Sequence, residues 1–374
     1  MVEIAGFAPP RFAPVKDAFA AHFEAGEELG ARFTLVEAGD VVLDLWAGHA
    51  DRKRTRAFDE QTLTCIFSTT KALAALLVAR AVERGLLRYD QPVAEVWPEF
   101  AQAGKAAITV EQVLSHQAGL SGFLEPMEPS LWVEWDAIAD KLAAMAPMWP
   151  PGTASGYHPI TFGYLAGEVF RRTDGRMMGD ALGADLRAPF GLDLWIGLPE
   201  SEFGRLAELQ RPSALPDFGE VNDPTRAAFL TPWASVGGVP AAVWRKTQVP
   251  SANGYATALA LARLMGALAD NGWLEGEQIL SPALIAEASR ERIHGQDLVL
   301  PFEMSWGAGF MRNPPNNPWG PGERTFGHSG WGGSCAFADP DRRLGGAYVM
   351  NKQGTALMGD ARPRRLIEAA YGAL

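Results

Sequence analysis

Residues with strand character gather at the two ends of this 374-residue chain, and helical sequence fills most of the space between. Near the start, Phe33–Glu37 and Val41–Trp46 are β-rich runs joined by Ala38-Gly39-Asp40, the pattern of an antiparallel hairpin. Near the end, residues 304–311, 335–339 and 345–351 read as strands, with Asp339-Pro340-Asp341-Arg342-Arg343 as the turn joining the last two. From 63 to about 190 the chain reads almost entirely as helix and loop. The economical architecture is a mixed α/β domain built from residues 1–62 and 250–374. A mainly helical domain, 63–249, is inserted into it, and its last part, about 190–250, reads as a long irregular connection over a cleft. A functional site belongs in the groove between the two.

At the head of the helical block stands Cys65-Ile66-Phe67-Ser68-Thr69-Thr70-Lys71. From Lys71 to Arg84 nearly every residue favours helix, with no Gly or Pro. Ser68 is expected at or within the first turn, with Lys71 three residues on and on the same face. A serine needs a base to become a nucleophile, and a lysine serves as one only when its pKa is depressed. The apolar neighbours Ala72, Leu73, Ala75, Leu76 and Leu77 imply burial, which supplies that depression. Ser-x-x-Lys alone is a weak pattern, because it equally fits an N-capping serine and a surface lysine.

Three more segments accompany it. Tyr157 lies in a Pro-Gly loop, 150–159, directly before a helix over 160–172, and a phenol near a lysine can relay a proton. Gly327-His328-Ser329-Gly330-Trp331-Gly332-Gly333-Ser334 is a glycine-rich run entering a strand, where backbone N–H groups can approach a bound carbonyl. His116 ends a short helix that Thr109 and Gln112 start with a capping box. A structural hydrogen-bonding role suits that histidine better than a chemical one.

The net charge of −11 opposes binding to nucleic acid or to an anionic membrane. The N-terminus shows no secretory pattern, and no apolar run reaches the roughly 18 residues of a membrane span. A cytoplasmic protein is therefore expected, with Cys65 and Cys335 as reduced thiols. Several of the twelve tryptophans fall in Pro/Gly-rich loops, among them Trp132, Trp149, Trp233 and Trp319, and are candidates to line an apolar cleft.

Taken in order, Ser68-Thr69-Thr70-Lys71, Leu114-Ser115-His116-Gln117-Ala118-Gly119-Leu120, Pro151-Gly152 with Tyr157, and Gly327-His328-Ser329-Gly330 resemble the serine β-lactamase and penicillin-binding-protein superfamily. The chain looks most like the family VIII carboxylesterases, which share the class C β-lactamase fold. The resemblance spans about residues 15–370. It implies a central antiparallel sheet flanked by helices, plus an all-helical domain. It also implies an acyl-enzyme on Ser68, with Lys71 and Tyr157 as general base and acid, and the amides of Ser68 and Trp331 as the oxyanion hole. His328, Ser329, Gly330, His116, Trp149 and Trp233 are the substrate-binding candidates.

Two departures from the superfamily pattern bear on the substrate. Tyr157-His158-Pro159 replaces a triplet ending in asparagine, and His328-Ser329-Gly330 replaces Lys-Thr-Gly. Both remove groups that hold a β-lactam. A second register would set Trp331-Gly332-Gly333 on the latter motif and make Ser334 the oxyanion donor. The expected activity is hydrolysis of small neutral esters with no cofactor or metal. The alternatives are a β-lactamase, a D-aminopeptidase, an acyltransferase, and a penicillin-binding or sensor protein without turnover. Oligomeric state is open.

Overall fold

Gly30–Glu37 has seven successive buried residues, the mark of a strand covered on both faces. In the computed structural model, which describes residues 2–313 and 319–374, it lies inside a nine-stranded sheet. The strand order is Ile4–Phe7, Asp40–Gly48, Gly30–Glu37, Leu344–Met350, Cys335–Asp339, Phe326–Ser329, Met311–Arg312, Glu303–Trp306 and Ile293–Gln296. Every neighbouring pair is antiparallel. The two chain ends meet at the centre, where Leu344–Met350 pairs with Gly30–Glu37.

Alternation along these strands sorts the core into two layers. Phe33, Leu35 and Tyr348 face Phe12, Val15, Phe19, Leu366 and Ile367, from the Ala13–Glu24 helix, the turn before it, and the Ala361–Tyr371 helix. Val36, Ala347 and Val349 face the opposite way, toward the Ala258–Ala269 helix. That helix sits so close that a Cβ on Gly345 would stand 2.1 Å from the Gly266 nitrogen. Glycine is therefore required there by contact.

The Thr70–Glu83 helix is buried from Thr70 to Ala79 and again at Ala81. A helix buried on all sides has to be apolar all round, and Lys71 is its one buried charge. The Val110–Leu114, Trp135–Ala144 and Thr161–Asp174 helices belong to the same packed cluster. The Thr109–Gln112 capping box forms as the sequence suggests.

Some local expectations need correction. The helix begins at Thr70, so Ser68 lies in the turn before it. Residues 304–311 form two strands, Glu303–Trp306 and Met311–Arg312, with a turn between them. Thr64–Phe67, Leu194–Ile196 and Gly254–Ala256 form a separate three-stranded sheet, order 64–67, 254–256, 194–196. Its strands are three or four residues long and come from distant segments, so no local periodicity reveals them. Gly254 opens the middle strand of this sheet, and the Ala258–Ala269 helix follows it directly. Cys65 and Cys335 are free. Among the described residues no helix is long and apolar enough to cross a membrane.

Candidate active site

The Thr64–Phe67 strand delivers Ser68 by a strained turn. Phe67 has φ +46°, a left-handed conformation costly for a bulky residue. It reverses the strand so that Lys71 N–H reaches Ser68 O at 2.9 Å and Ala72 N–H reaches Thr69 O at 3.1 Å, which opens the helix. The Thr70 hydroxyl donates to the Phe67 carbonyl and accepts Gly254 N–H at 2.8 Å, tying the turn to the short sheet.

Lys71, fully buried, places Nζ 3.1 Å from Ser68 Oγ, 2.8 Å from the Pro159 carbonyl and 3.0 Å from the Ser251 carbonyl. Among the described residues no carboxylate pairs with it. Burial holds its pKa well below the usual lysine range. In the neutral amine two N–H bonds serve the two carbonyls. The remaining lone pair is then directed at the Ser68 hydroxyl, the arrangement a proton acceptor needs.

Tyr157 covers this pair. Lys71 Nζ lies 4.8 Å from the phenol ring centroid, and the ring stacks on Trp306 with centroids 5.7 Å apart and planes 10° from parallel. Burial raises the phenol's pKa, the Ser68 hydroxyl opposes the rise, and Asp297 adds to it. The tyrosine therefore holds its proton.

His116 and His328 flank the Tyr157 ring and His158 packs on His116, and burial lowers the pKa of all three, so each is neutral. His158 donates from Nδ1 to the Gly156 carbonyl at 2.6 Å and accepts Leu120 N–H on Nε2 at 2.9 Å, and burial drops its pKa to about 3. His116, with φ +64°, accepts His158 N–H on Nδ1 at 3.1 Å, so Nε2 carries its proton. Its ring touches Tyr157, Phe162 and Trp306, and burial is the main cause of its strongly lowered pKa. His328 donates from Nδ1 to the Ser329 carbonyl at 2.7 Å, and burial together with Lys71 brings its pKa to about 3. Its Nε2 has no partner among the described residues.

The glycine-rich run ends the Phe326–Ser329 strand and turns beside Ser68. Gly330 N–H donates to Ser334 O at 2.6 Å, and Ser334 Oγ donates to the Ile66 carbonyl at 2.9 Å. A Cβ on Gly330 would lie 2.3 Å from that carbonyl oxygen, which explains the glycine. The Trp331 ring packs edge-on against Phe67 at 5.9 Å. Among the described residues the N–H groups of Ser68 and Trp331 donate to no protein acceptor. Two free amides, one on Ser68 itself and one on the residue whose ring packs on Phe67, are the kind of donors an oxyanion needs. Ser329 Oγ is buried and has no partner among the described residues.

The structure thus gathers Ser68, Lys71, Tyr157, His328, Ser329, Gly330 and Trp331. His116, Trp149 and Trp233, the other candidates, are each held by packing or hydrogen bonds of their own. His116 is 1% exposed, because it fills the space beneath the Tyr157 ring. Trp149 is buried over Gly156, where its indole N–H closes its own loop on Ala154 O at 3.0 Å. Trp233 donates to Phe123 O at 2.7 Å and accepts the Trp132 indole N–H at 2.8 Å, bracing the 120–135 segment.

Several contributors escaped sequence reading. The carbonyls of Pro159 and Ser251 carry no side-chain signature. Trp306 sits in strand-like sequence where packing is the default reading. Asp297 lies 140 residues from Tyr157 and still accepts its backbone N–H at 2.9 Å. A lone aspartate in an apolar run, Val299-Leu300 following it, was the one available signal.

The β-lactamase family profile matches residues 15–371. The crystal structure of a penicillin-binding-protein homologue from Caulobacter crescentus is 62% identical and covers 100% of both chains, with a TM-score of 0.98. A family VIII carboxylesterase crystal structure is 43% identical, again over 100% of both, with a TM-score of 0.93. Esterase/beta-lactamase LipL of Mycobacterium tuberculosis is 33% identical over 362 residues, covering 93% of this chain and 82% of LipL. The mixed fold, an antiparallel sheet with helices, agrees with these relatives.

Proposed function

The chain belongs to the β-lactamase family, and we propose that within it the protein is a serine carboxylesterase acting on short, uncharged esters through an acyl-enzyme on Ser68. The observation that carries this reading is the buried Lys71 amine, 3.1 Å from Ser68 Oγ with its other donors taken by two carbonyls. Lys71 removes the serine proton as Oγ attacks the ester carbonyl, and the amides of Ser68 and Trp331 receive the oxyanion. Tyr157 passes a proton to the departing alcohol, and water then releases the acid by the reverse sequence.

Neutral esters fit the edge of the site better than β-lactams do. His328 stands where a lysine would meet a β-lactam carboxylate, and burial keeps its imidazole uncharged. The same position favours the esterase named among the relatives over a penicillin-binding role. Butyrate aryl ester and chromogenic cephalosporin turnover, measured side by side, test the choice. Rapid ester turnover that Ser68→Ala abolishes, with at most slow cephalosporin loss, is expected. A phosphonate ester should add once, at Ser68 by intact mass and peptide mapping. Faster cephalosporin than ester turnover would assign a β-lactamase. An adduct elsewhere would end the reading altogether.

A further inference from the structure

Asp297 is 4% exposed, in the loop between the Ile293–Gln296 and Glu303–Trp306 strands. Its carboxylate accepts every hydrogen bond it makes. Oδ1 takes the N–H of Tyr157 at 2.9 Å, of Val299 at 2.9 Å and of Leu300 at 3.0 Å, and Oδ2 takes the Ser155 hydroxyl at 2.9 Å. Leu298 N–H adds a main-chain bond to Ser155 O at 2.8 Å. No cation pairs with the carboxylate among the described residues. Burial raises the pKa of this carboxyl, the N–H groups of Leu300, Tyr157 and Val299 and the Ser155 hydroxyl oppose the rise, and all four of those hydrogen bonds go to two short stretches of chain, 155–157 and 299–300.

We propose that Asp297 is a positioning residue for the Tyr157 hydroxyl, locking the 155–157 loop to the sheet so that the phenol can protonate the leaving alcohol. The inference rests on the esterase reading and deepens it, because it divides the proton work. The charged or titratable groups around the phenol are Lys71, 4.8 Å from the ring centroid, His116 at 4.9 Å, His328 at 6.2 Å, and Asp297 at its own backbone. The histidines are neutral, and a carboxylate close by disfavours phenolate. Tyrosine therefore keeps its proton and Lys71 acts as base. Lys71 takes the proton from Ser68 as the Oγ–acyl bond forms. When the carbon–alcohol bond breaks, Tyr157 gives its proton to the alkoxide and regains one from the Lys71 ammonium. Atoms and charges balance without any other reactant.

A displaced phenol harms substrates according to their need for a proton. A nitrophenolate leaves without one, whereas an alkoxide does not. Asp297→Ala is therefore expected to cut turnover of an alkyl butyrate by roughly 10²-fold and of the nitrophenyl ester by less than about ten-fold, matching Tyr157→Phe. The double variant should be no worse than Tyr157→Phe alone. Asp297→Asn retains an oxygen for the three amides and should stay within about three-fold of the parent on both esters. Should the alanine variant fail to fold by circular dichroism, Asp297→Ser enters the same comparison with the same selective loss expected. Equal loss on both esters, additive loss in the double variant, or an asparagine variant as impaired as alanine would overturn the proposal. An unmodified chain that acylates with neither ester would instead refute the esterase reading.

Discussion

Arg362, at the start of the last helix, donates from Nη2 to the Gly332 carbonyl at 2.7 Å, in the turn that presents the Trp331 amide. The same guanidinium binds Asp360 at 2.8 and 3.0 Å and Glu28 at 3.0 Å, all buried. The glycine turn thus owes its shape to a buried ion cluster joining both chain ends. Gly332 and Gly333, at φ +86° and +128°, supply the backbone freedom.

Replacing Arg362 with Gln leaves Glu28 and Asp360 buried without their cation, and about 3–5 kcal/mol of stability should be lost. In the folded variant kcat should fall roughly ten- to hundred-fold with KM nearly unchanged, because an oxyanion forms only after attack. Urea unfolding and steady-state kinetics check both. An unchanged kcat in folded protein would show that the turn holds its shape without the arginine.

Gly330→Ala places a methyl 2.3 Å from the Ile66 carbonyl oxygen and 2.2 Å from Ser334 Oγ. The serine rotates at little cost, but the carbonyl is backbone two residues before Ser68. The strand edge must therefore move away from the nucleophile, and ester turnover should fall at least about 10²-fold, the scale of a lost oxyanion donor. Near-parental kinetics in this variant would place the edge strand outside the reaction.

Lys71 has a pKa lowered on folding, whereas the unfolded chain protonates it up to the usual lysine range. Between the two values the unfolded state binds more protons, so this residue makes stability rise with pH. Lys71→Met removes the term. The stability of Lys71→Met minus that of the parent should therefore decline steadily as pH is raised from 7 toward 10, in paired denaturation curves. A constant difference would mean that Lys71 is charged when folded. In kinetics, Lys71→Arg should cost roughly 10²–10⁴-fold, since a guanidinium cannot accept the serine proton.

His328 has its pKa brought down to about 3, so ester hydrolysis should show no inflection near pH 6.5 that His328→Gln removes. His328→Lys restores a cation where a β-lactam carboxylate would sit. A charge-assisted hydrogen bond of about 1.5–3 kcal/mol predicts a rise of roughly 10- to 150-fold in the cephalosporin-to-ester ratio of kcat/KM. The added charge also opposes protonation of Lys71, so the acid limb of ester hydrolysis should move to lower pH. No rise in that ratio would favour the register with Trp331 at the lysine position.

The terminal hairpin, the Cys335–Asp339 strand, the Thr109 cap and the long buried helix were all legible because each is encoded within a few residues. Ser68 and Lys71 are three apart on one chain segment, and Tyr157 announced itself through its loop and the order of motifs. The tryptophans are less legible, because a large ring that pins a segment and one that lines a cleft have the same sequence signature. Trp149 and Trp233 both satisfy their indole N–H on nearby carbonyls.

Sequence by itself determined the sheet-forming ends, the helical middle, and an apolar setting able to neutralise Lys71, since periodicity and propensity act over neighbours. Only the tertiary structure decided what surrounds that amine. The carbonyls of Pro159 and Ser251, the three neutral histidines, the Asp297 clamp and the Arg362 brace lie far apart along the chain. Hydrogen bonds and desolvation depend on distances across the fold, and no local pattern of residues records those distances.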